Sequence, residues 1–128
     1  MSELKITDLR NGNILEHNNS IVFVDGYRYG THNYNIYFTL ELDGAVEFFD
    51  DIANFTPIPL TEDWLKRFGF EKVNHIYGYS FWTLDKFEIQ NHQTLYRGTR
   101  IEHCEFVHQL QNAFRWIKGK ELELQDEV

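Results

Sequence analysis

Two prolines in three residues, Pro57-Ile58-Pro59, divide this chain more firmly than anything else in it. Each ring fixes its own φ and pushes the residue before it out of the α region, so Thr56 to Leu60 reads as an extended connection. The sequence changes character across that connection. Before it, Ile14 to His17, Ile21 to Val24, Asn35 to Leu42 and Ala45 to Phe49 are rich in β-branched and aromatic residues and read as strands. Asn18-Asn19, Asp25-Gly26 and Asp43-Gly44 separate them as turns. Asp-Gly accepts the positive φ of a two-residue hairpin, so Tyr37 to Leu42 is expected to fold back on Ala45 to Phe49. The expected N-terminal half is an antiparallel sheet or a small SH3-like barrel.

After the prolines, Thr61 is a cap for a short helix from Glu62 to Phe68, with acidic residues in its first turn and Gly69 to end it. Val73 then opens a second strand-rich stretch. Tyr79 to Leu84, Phe87 to Asn91 and Thr94 to Glu102, punctuated at Asp85-Lys86 and His92-Gln93, predict a three-stranded antiparallel sheet. From Glu105 to Lys118 the period changes: Phe106, Leu110, Ala113 and Ile117, joined by Val107 and Phe114, recur at helical spacing. Gly119 closes that helix, and Glu121 to Leu124 is a candidate last strand before an acidic tail. The fold class is α+β, with an N-terminal lobe over 1–56 and a C-terminal α+β lobe over 57–128, expected to form one compact unit.

Charge excludes more than it assigns. Twelve Lys and Arg face twenty Asp and Glu, a formal charge of −8, and the basic residues are dispersed. Such a surface repels a phosphate backbone, which disfavours general DNA or RNA binding. No apolar stretch approaches the roughly 20 residues of a membrane helix. Met1 to Arg10 lacks the apolar core of a secretory signal, so a cytoplasmic location is expected. The single cysteine, Cys104, can form no disulfide within the chain.

Chemistry-bearing constellations are sparse. Cys104 and His108 stand at i, i+4 and could share a helix face, with His103 and His92 in reserve, but zinc needs three or four ligands in tetrahedral array. No metal or cofactor is expected. Cys104, His108 and Glu105 do not make the oriented base and oxyanion pocket that acyl transfer needs. Asp50-Asp51 and Glu62-Asp63 read as a strand end and a helix first turn. A phosphate-binding glycine loop, a zinc-protease helix and a serine elbow are all missing, so the expectation is a protein that is not an enzyme.

Aromatic residues make up 16% of the chain, and two polar segments concentrate them. Tyr27-Arg28-Tyr29-Gly30-Thr31-His32-Asn33-Tyr34 and His75-Ile76-Tyr77-Gly78-Tyr79 have the Tyr, Asn and Gly content of adaptable recognition loops. Tyr27, Tyr29, His32 and Tyr34 are therefore candidate binding residues, against the plainer account that their rings cover strand edges. On the C-terminal helix, His108, Asn112 and Arg115 fall on one flank. That flank is either a hydrogen-bonding surface or simply solvated.

Three motifs carry a resemblance: Leu9-Arg10-Asn11-Gly12-Asn13, Pro57-Ile58-Pro59-Leu60-Thr61-Glu62-Asp63-Trp64-Leu65 followed by Phe68-Gly69-Phe70, and Val107-His108-Gln109-Leu110-Gln111-Asn112. In that order the chain resembles a group of small uncharacterised proteins of Bacteroidota and their phages. The resemblance carries no activity; it implies an accessory gene of phages or mobile elements, acting in the host cytoplasm. Two partners are then in view. One is a host protein, engaged to inhibit a defence system. The other is a nucleotide-like small molecule, its base stacked on aromatic rings and its phosphate met by Arg97, Arg100 or Arg115.

Overall fold

The computed structural model describes residues 4–41 and 44–125. The α+β class holds: two five-stranded antiparallel sheets and two α-helices. The chain divides into two compact units, one of residues 1–58 with 106–112 and the other of residues 59–105 with 113–128. The break follows Ile58 and so falls within the proline connection.

In the first unit, β1 (Ile14–His17) and β2 (Ser20–Tyr29) form a tight hairpin. Asn18 and Asn19 take φ of 50° and 65°, the two positive angles a two-residue turn needs and asparagine accepts. β3 (Tyr34–Thr39), β4 (Phe48–Asp51) and β5 (Phe55–Thr56) complete the order β4-β3-β2-β1-β5. One turn of 3-10 helix, Ile52–Asn54, precedes β5, with the Asp51 carboxylate accepting the Ala53 N–H. A four-strand meander, a 3-10 turn and a fifth strand that returns to the first is the connectivity of an SH3-like barrel.

The sheet curls strongly. His17 of β1 bonds Asp50 of β4 at 2.8 Å, although β2 and β3 lie between those strands in the sheet. The His17 ring packs at 4.7 Å on both Phe38 and Phe55. Inward-pointing Leu15, Val22, Val24, Ile36, Phe38, Ile52 and Phe55 fill the concave side with Leu9. Burying each of these contributes about 1.5–3 kcal/mol by area transfer.

Two turn expectations change here. Asp25-Gly26 is not a turn; β2 runs through it, with a bulge that shifts the pairing between Val24 and Gly26 and lets the long strand bend. The β3–β4 connection is longer than two residues, because the last pair is Phe38↔Phe48. Leu42 and Asp43 lie outside the described residues, as does the acidic tail from 126.

In the second unit, α1 (Glu62–Arg67) starts where the sequence indicated, with Thr61 Oγ1 accepting from Trp64 N–H at 3.4 Å. Its sheet has five strands, not three, in the order β10-β9-β8-β7-β6. They are β6 (Glu71–Asn74), β7 (Ser80–Leu84), β8 (Phe87–Gln90), β9 (Gln93–Tyr96) and β10 (Thr99–His103). The stretch from Thr94 to Glu102 is itself a hairpin, reversed at Arg97-Gly98 with φ of 52° and 85°. Asp85-Lys86 and Asn91-His92 turn the same way, the latter one residue earlier than expected.

Helix α2 (Val107–Lys118) begins two residues later than its periodicity suggested. The Phe106 N–H is taken by the Gln109 side chain at 3.0 Å and the Val107 N–H by the Ile58 carbonyl at 2.8 Å, so the chain enters the helix there. The carbonyl between the two prolines thus satisfies one of the orphan donors of the helix. Residues 121–125 form no strand; Leu122 instead buries its side chain at 5% exposure, and the Gln125 N–H bonds the Arg67 carbonyl.

Candidate functional site

The first and third sequence motifs meet inside the first unit. Asn13, fully buried, accepts the Arg10 N–H at 2.7 Å and donates to Asn112 Oδ1 at 2.8 Å. Arg10 Nε also donates to Asn112 Oδ1, at 3.1 Å, while Asn112 Nδ2 donates to the Asp8 carbonyl at 2.7 Å. Gln111 is as well matched: its Oε1 accepts the Ile14 N–H at 2.8 Å and its Nε2 donates to the Gly12 carbonyl at 3.0 Å. An N–H on one side and a carbonyl on the other fix the orientation of each amide. Gly12 takes a φ of 94°, which presents its carbonyl to Gln111 and its N–H to the Val24 carbonyl at 2.8 Å.

At Asn112 the helix flank is half-buried, and the amide is engaged through both its oxygen and its nitrogen. Its amide is a bracket that holds the loop before β1. His108 is 4% exposed, stacked on Phe106 at 6.1 Å, and its Nδ1 finds no hydrogen-bond partner. Burial lowers its pKa from the ordinary 6.5, against an upward pull from Asp8. In the second unit, Arg115 is exposed and 3.7 Å from Glu121.

The tyrosine segment is the long β2–β3 hairpin. Tyr29 stands opposite Tyr34 in the ladder, and both Tyr27 and Tyr29 meet Tyr34 edge to face, at 5.8 and 5.0 Å. Tyr34 leans on the core, whereas Tyr27 and Tyr29 are 51% and 61% exposed. His32 lies exposed in the turn.

The second aromatic segment caps the β6–β7 hairpin, and its order is the finding sequence reasoning missed. The His75 ring stacks on Tyr79 at 4.5 Å and on Tyr77 at 5.0 Å. The backbone is closed by His75 N–H to the Tyr79 carbonyl at 2.7 Å and Gly78 N–H to the His75 carbonyl at 3.0 Å. Ile76 and Tyr77 are left 87% and 81% exposed. An isoleucine set among turn residues was the signal for this.

Arg97 and Arg100 are exposed on the β9–β10 hairpin. The Arg97 guanidinium lies 5.6 Å from the Tyr96 ring centre and, as hydrogen-bond donor, lowers that phenol's pKa. Three shallow clefts, of about 320, 270 and 230 Å³, are lined by Leu40, Glu41, Val46 and Phe48, by Phe68, Asp85, Lys120 and neighbours, and by Leu60, Leu65, Trp82 and His92. None of the three contains an arginine. Cys104 precedes α2, so it shares no helix face with His108. Burial pushes its thiol up to about 11. Among the described residues no group of three His, Cys, Asp or Glu is placed to hold a metal ion, and no helix is long and apolar enough to cross a membrane.

Comparison of the chain with family models, curated proteins and solved structures gives no match.

Proposed function

We propose that this chain is a non-enzymatic binding protein whose ligand is another protein. The observation that carries the reading is the preformed β6–β7 tip, which holds Ile76 and Tyr77 almost fully in solvent on a hydrogen-bonded, ring-stacked loop. Ordered aromatic and aliphatic anchors are what protein interfaces use as hot spots, since little entropy is lost when they are covered. Tyr27 and Tyr29 supply a second exposed aromatic surface. The resemblance to phage and mobile-element proteins makes a host protein in the host cytoplasm the natural partner, and inhibition of a defence system the setting.

The nucleotide-like ligand is the weaker reading. A nucleotide pocket needs concavity and converging cations. Tyr96 with Arg97 and Lys118 near its ring, at 5.6 and 5.8 Å, is the best local match, but neither cation lines the three clefts described. Native mass spectrometry of the chain purified from its host separates the two. A protein-sized adduct that is lost in a Tyr77→Ser variant supports the proposal, and a surplus of a few hundred daltons released on denaturation overturns it in favour of the small molecule.

A further inference from the structure

We propose that the open edge of β4 pairs with an extended segment of a partner protein in which apolar residues alternate with Lys or Arg. This surface belongs to the first unit and stands or falls separately from the β6–β7 tip. β4 ends the order β4-β3-β2-β1-β5, so among the described residues one side of it has no strand neighbour. The Gly30 N–H to Asn33 carbonyl bond sets the alternation of the β2–β3 ladder, which turns the backbone of Ile36 and Phe38 towards β4. Their partners Asp50 and Phe48 therefore face β3, and the N–H and carbonyl of Phe49 face away from the sheet. The Asp51 N–H, which points the same way, is taken by the Asp50 side chain at 2.7 Å. Outward backbone groups such as those of Phe49 are what an added strand pairs with.

Successive residues of an added strand point to opposite faces, and the two faces beside β4 differ. On one, Phe48 stacks on Phe38 and borders the cleft of about 320 Å³ that it shares with Leu40 and Val46, both more than half exposed. On the other, Phe49 stacks on Tyr37 and stays 63% exposed, and the carboxyl of Glu47 is hydrogen-bonded to that of Asp25. That bond, with lost hydration and the Asp25 charge, raises the Glu47 pKa above its ordinary 4.5, so an arriving cation relieves a repulsion already present. From Tyr29 to Leu65 the sequence supplies no Lys or Arg of its own. The edge thus accepts an apolar side chain on one face and a cation on the next.

Other occupants fit worse. A second copy paired antiparallel through Phe49 sets Glu47 against Asp51, like charges that destabilise a ladder. Nucleic acid and anionic lipid bring phosphate to the same carboxylates.

The test pans a displayed library of random nine-residue peptides on the full chain and measures the enriched peptide, made synthetically, by fluorescence polarisation. Enriched sequences are expected to alternate apolar residues with Lys or Arg, and the Phe49 amide to become protected from hydrogen exchange in the complex. Phe49→Pro deletes the outward donor and Glu47→Lys reverses the charge. Each is expected to weaken the peptide at least tenfold at unchanged melting temperature, and Glu47→Lys decides alone should Phe49→Pro not fold. Tyr77→Ser is expected to leave the peptide's affinity unchanged. The edge proposal is overturned by a library that enriches nothing, by enriched peptides without the alternation, by affinity kept in Glu47→Lys, or by a chain that dimerises through β4. The adduct that tests the β6–β7 tip is measured separately, so either reading can fail alone.

Discussion

His17 and Asp50 stand on strands separated by two others in the sheet, yet their side chains meet at 2.8 Å. This contact joins the start of the meander to its end and is where the curl of the first sheet is secured. His17→Ala removes two ring contacts and the partner of a carboxylate, and is expected to cost about 1.5–3 kcal/mol in urea unfolding.

Asp50 adds a pH signature. The hydrogen bond from His17, with help from Asn54, holds its carboxyl below the ordinary value of 3.8. Its stabilising contribution is thus present above the ordinary carboxylate range and is lost as pH falls through the lower folded value. The side chain is 35% exposed, so solvent screens the pair and the effect is small. Thermal melts from about pH 5 down to pH 2 should show a shallower acid decline in Asp50→Asn than in the parent.

Gln111 is 2% exposed and Ile14, whose N–H it accepts, is equally buried. Gln111→Ala leaves that N–H and the Gly12 carbonyl without partners and should destabilise by about 2–4 kcal/mol, of which repacking recovers little. Gln111→Glu keeps the acceptor for Ile14 but turns a donor into a second acceptor facing the Gly12 carbonyl, and adds a buried charge. It should be no better than alanine. Equal stability of parent and Gln111→Glu in denaturant titration would contradict the bracket.

His108 predicts a slope at milder pH. Its neutral form is favoured by burial, so the unfolded chain binds the proton more readily than the folded one. Stability is full above the ordinary value of 6.5 and falls as pH drops from there towards the lower folded value. Urea midpoints measured between about pH 8 and pH 5 should decline in the parent and stay nearly level in His108→Leu.

The Cys104 thiol, buried and raised to about 11, is almost wholly protonated at neutral pH. Iodoacetamide at about pH 8 should leave the folded protein unmodified and alkylate it promptly in urea, as read by intact mass. Rapid modification of the folded chain would show a reactive thiol where the structure has a packed one.

Tyr29 and Tyr34 face each other but differ in what they support. Tyr34 leans on the core while Tyr29 is mostly in solvent. Tyr34→Ala should cost about 2–3 kcal/mol and Tyr29→Ala less than about 1 kcal/mol. A binding defect in Tyr29→Ala at near-parent stability would assign that face to a partner.

Local chemistry carried much of this fold into the sequence. Asn18-Asn19 and Asp85-Lys86 turn where turn chemistry places them, and Thr61 caps its helix. Reading failed where local preference was weak. Glu71 to Asn74 pairs as β6 with no buried residue, so no alternation of polarity marked it. Arg97-Gly98 reverses the chain although arginine seldom takes positive φ, and the run from Thr94 looked unbroken. Asp43-Gly44 suggested a tighter turn than the Phe38↔Phe48 pairing allows. The site was legible only in part: helical spacing grouped His108 with Asn112, but the loop that covers Asn112 lies about a hundred residues earlier, and spacing along one helix says nothing of it.

The bracket made by Gln111 and Asn112 also sets a timetable. The first sheet is assembled from residues made early, but the side chains that satisfy Ile14, Asn13 and the Gly12 carbonyl are made about a hundred residues after them. Until then a nascent N-terminal sheet holds those polar groups open, and a protein cut off after the proline connection would keep them so. Completion of the N-terminal unit therefore waits for Gln111 and Asn112, and a chain truncated before them keeps an unfinished first lobe.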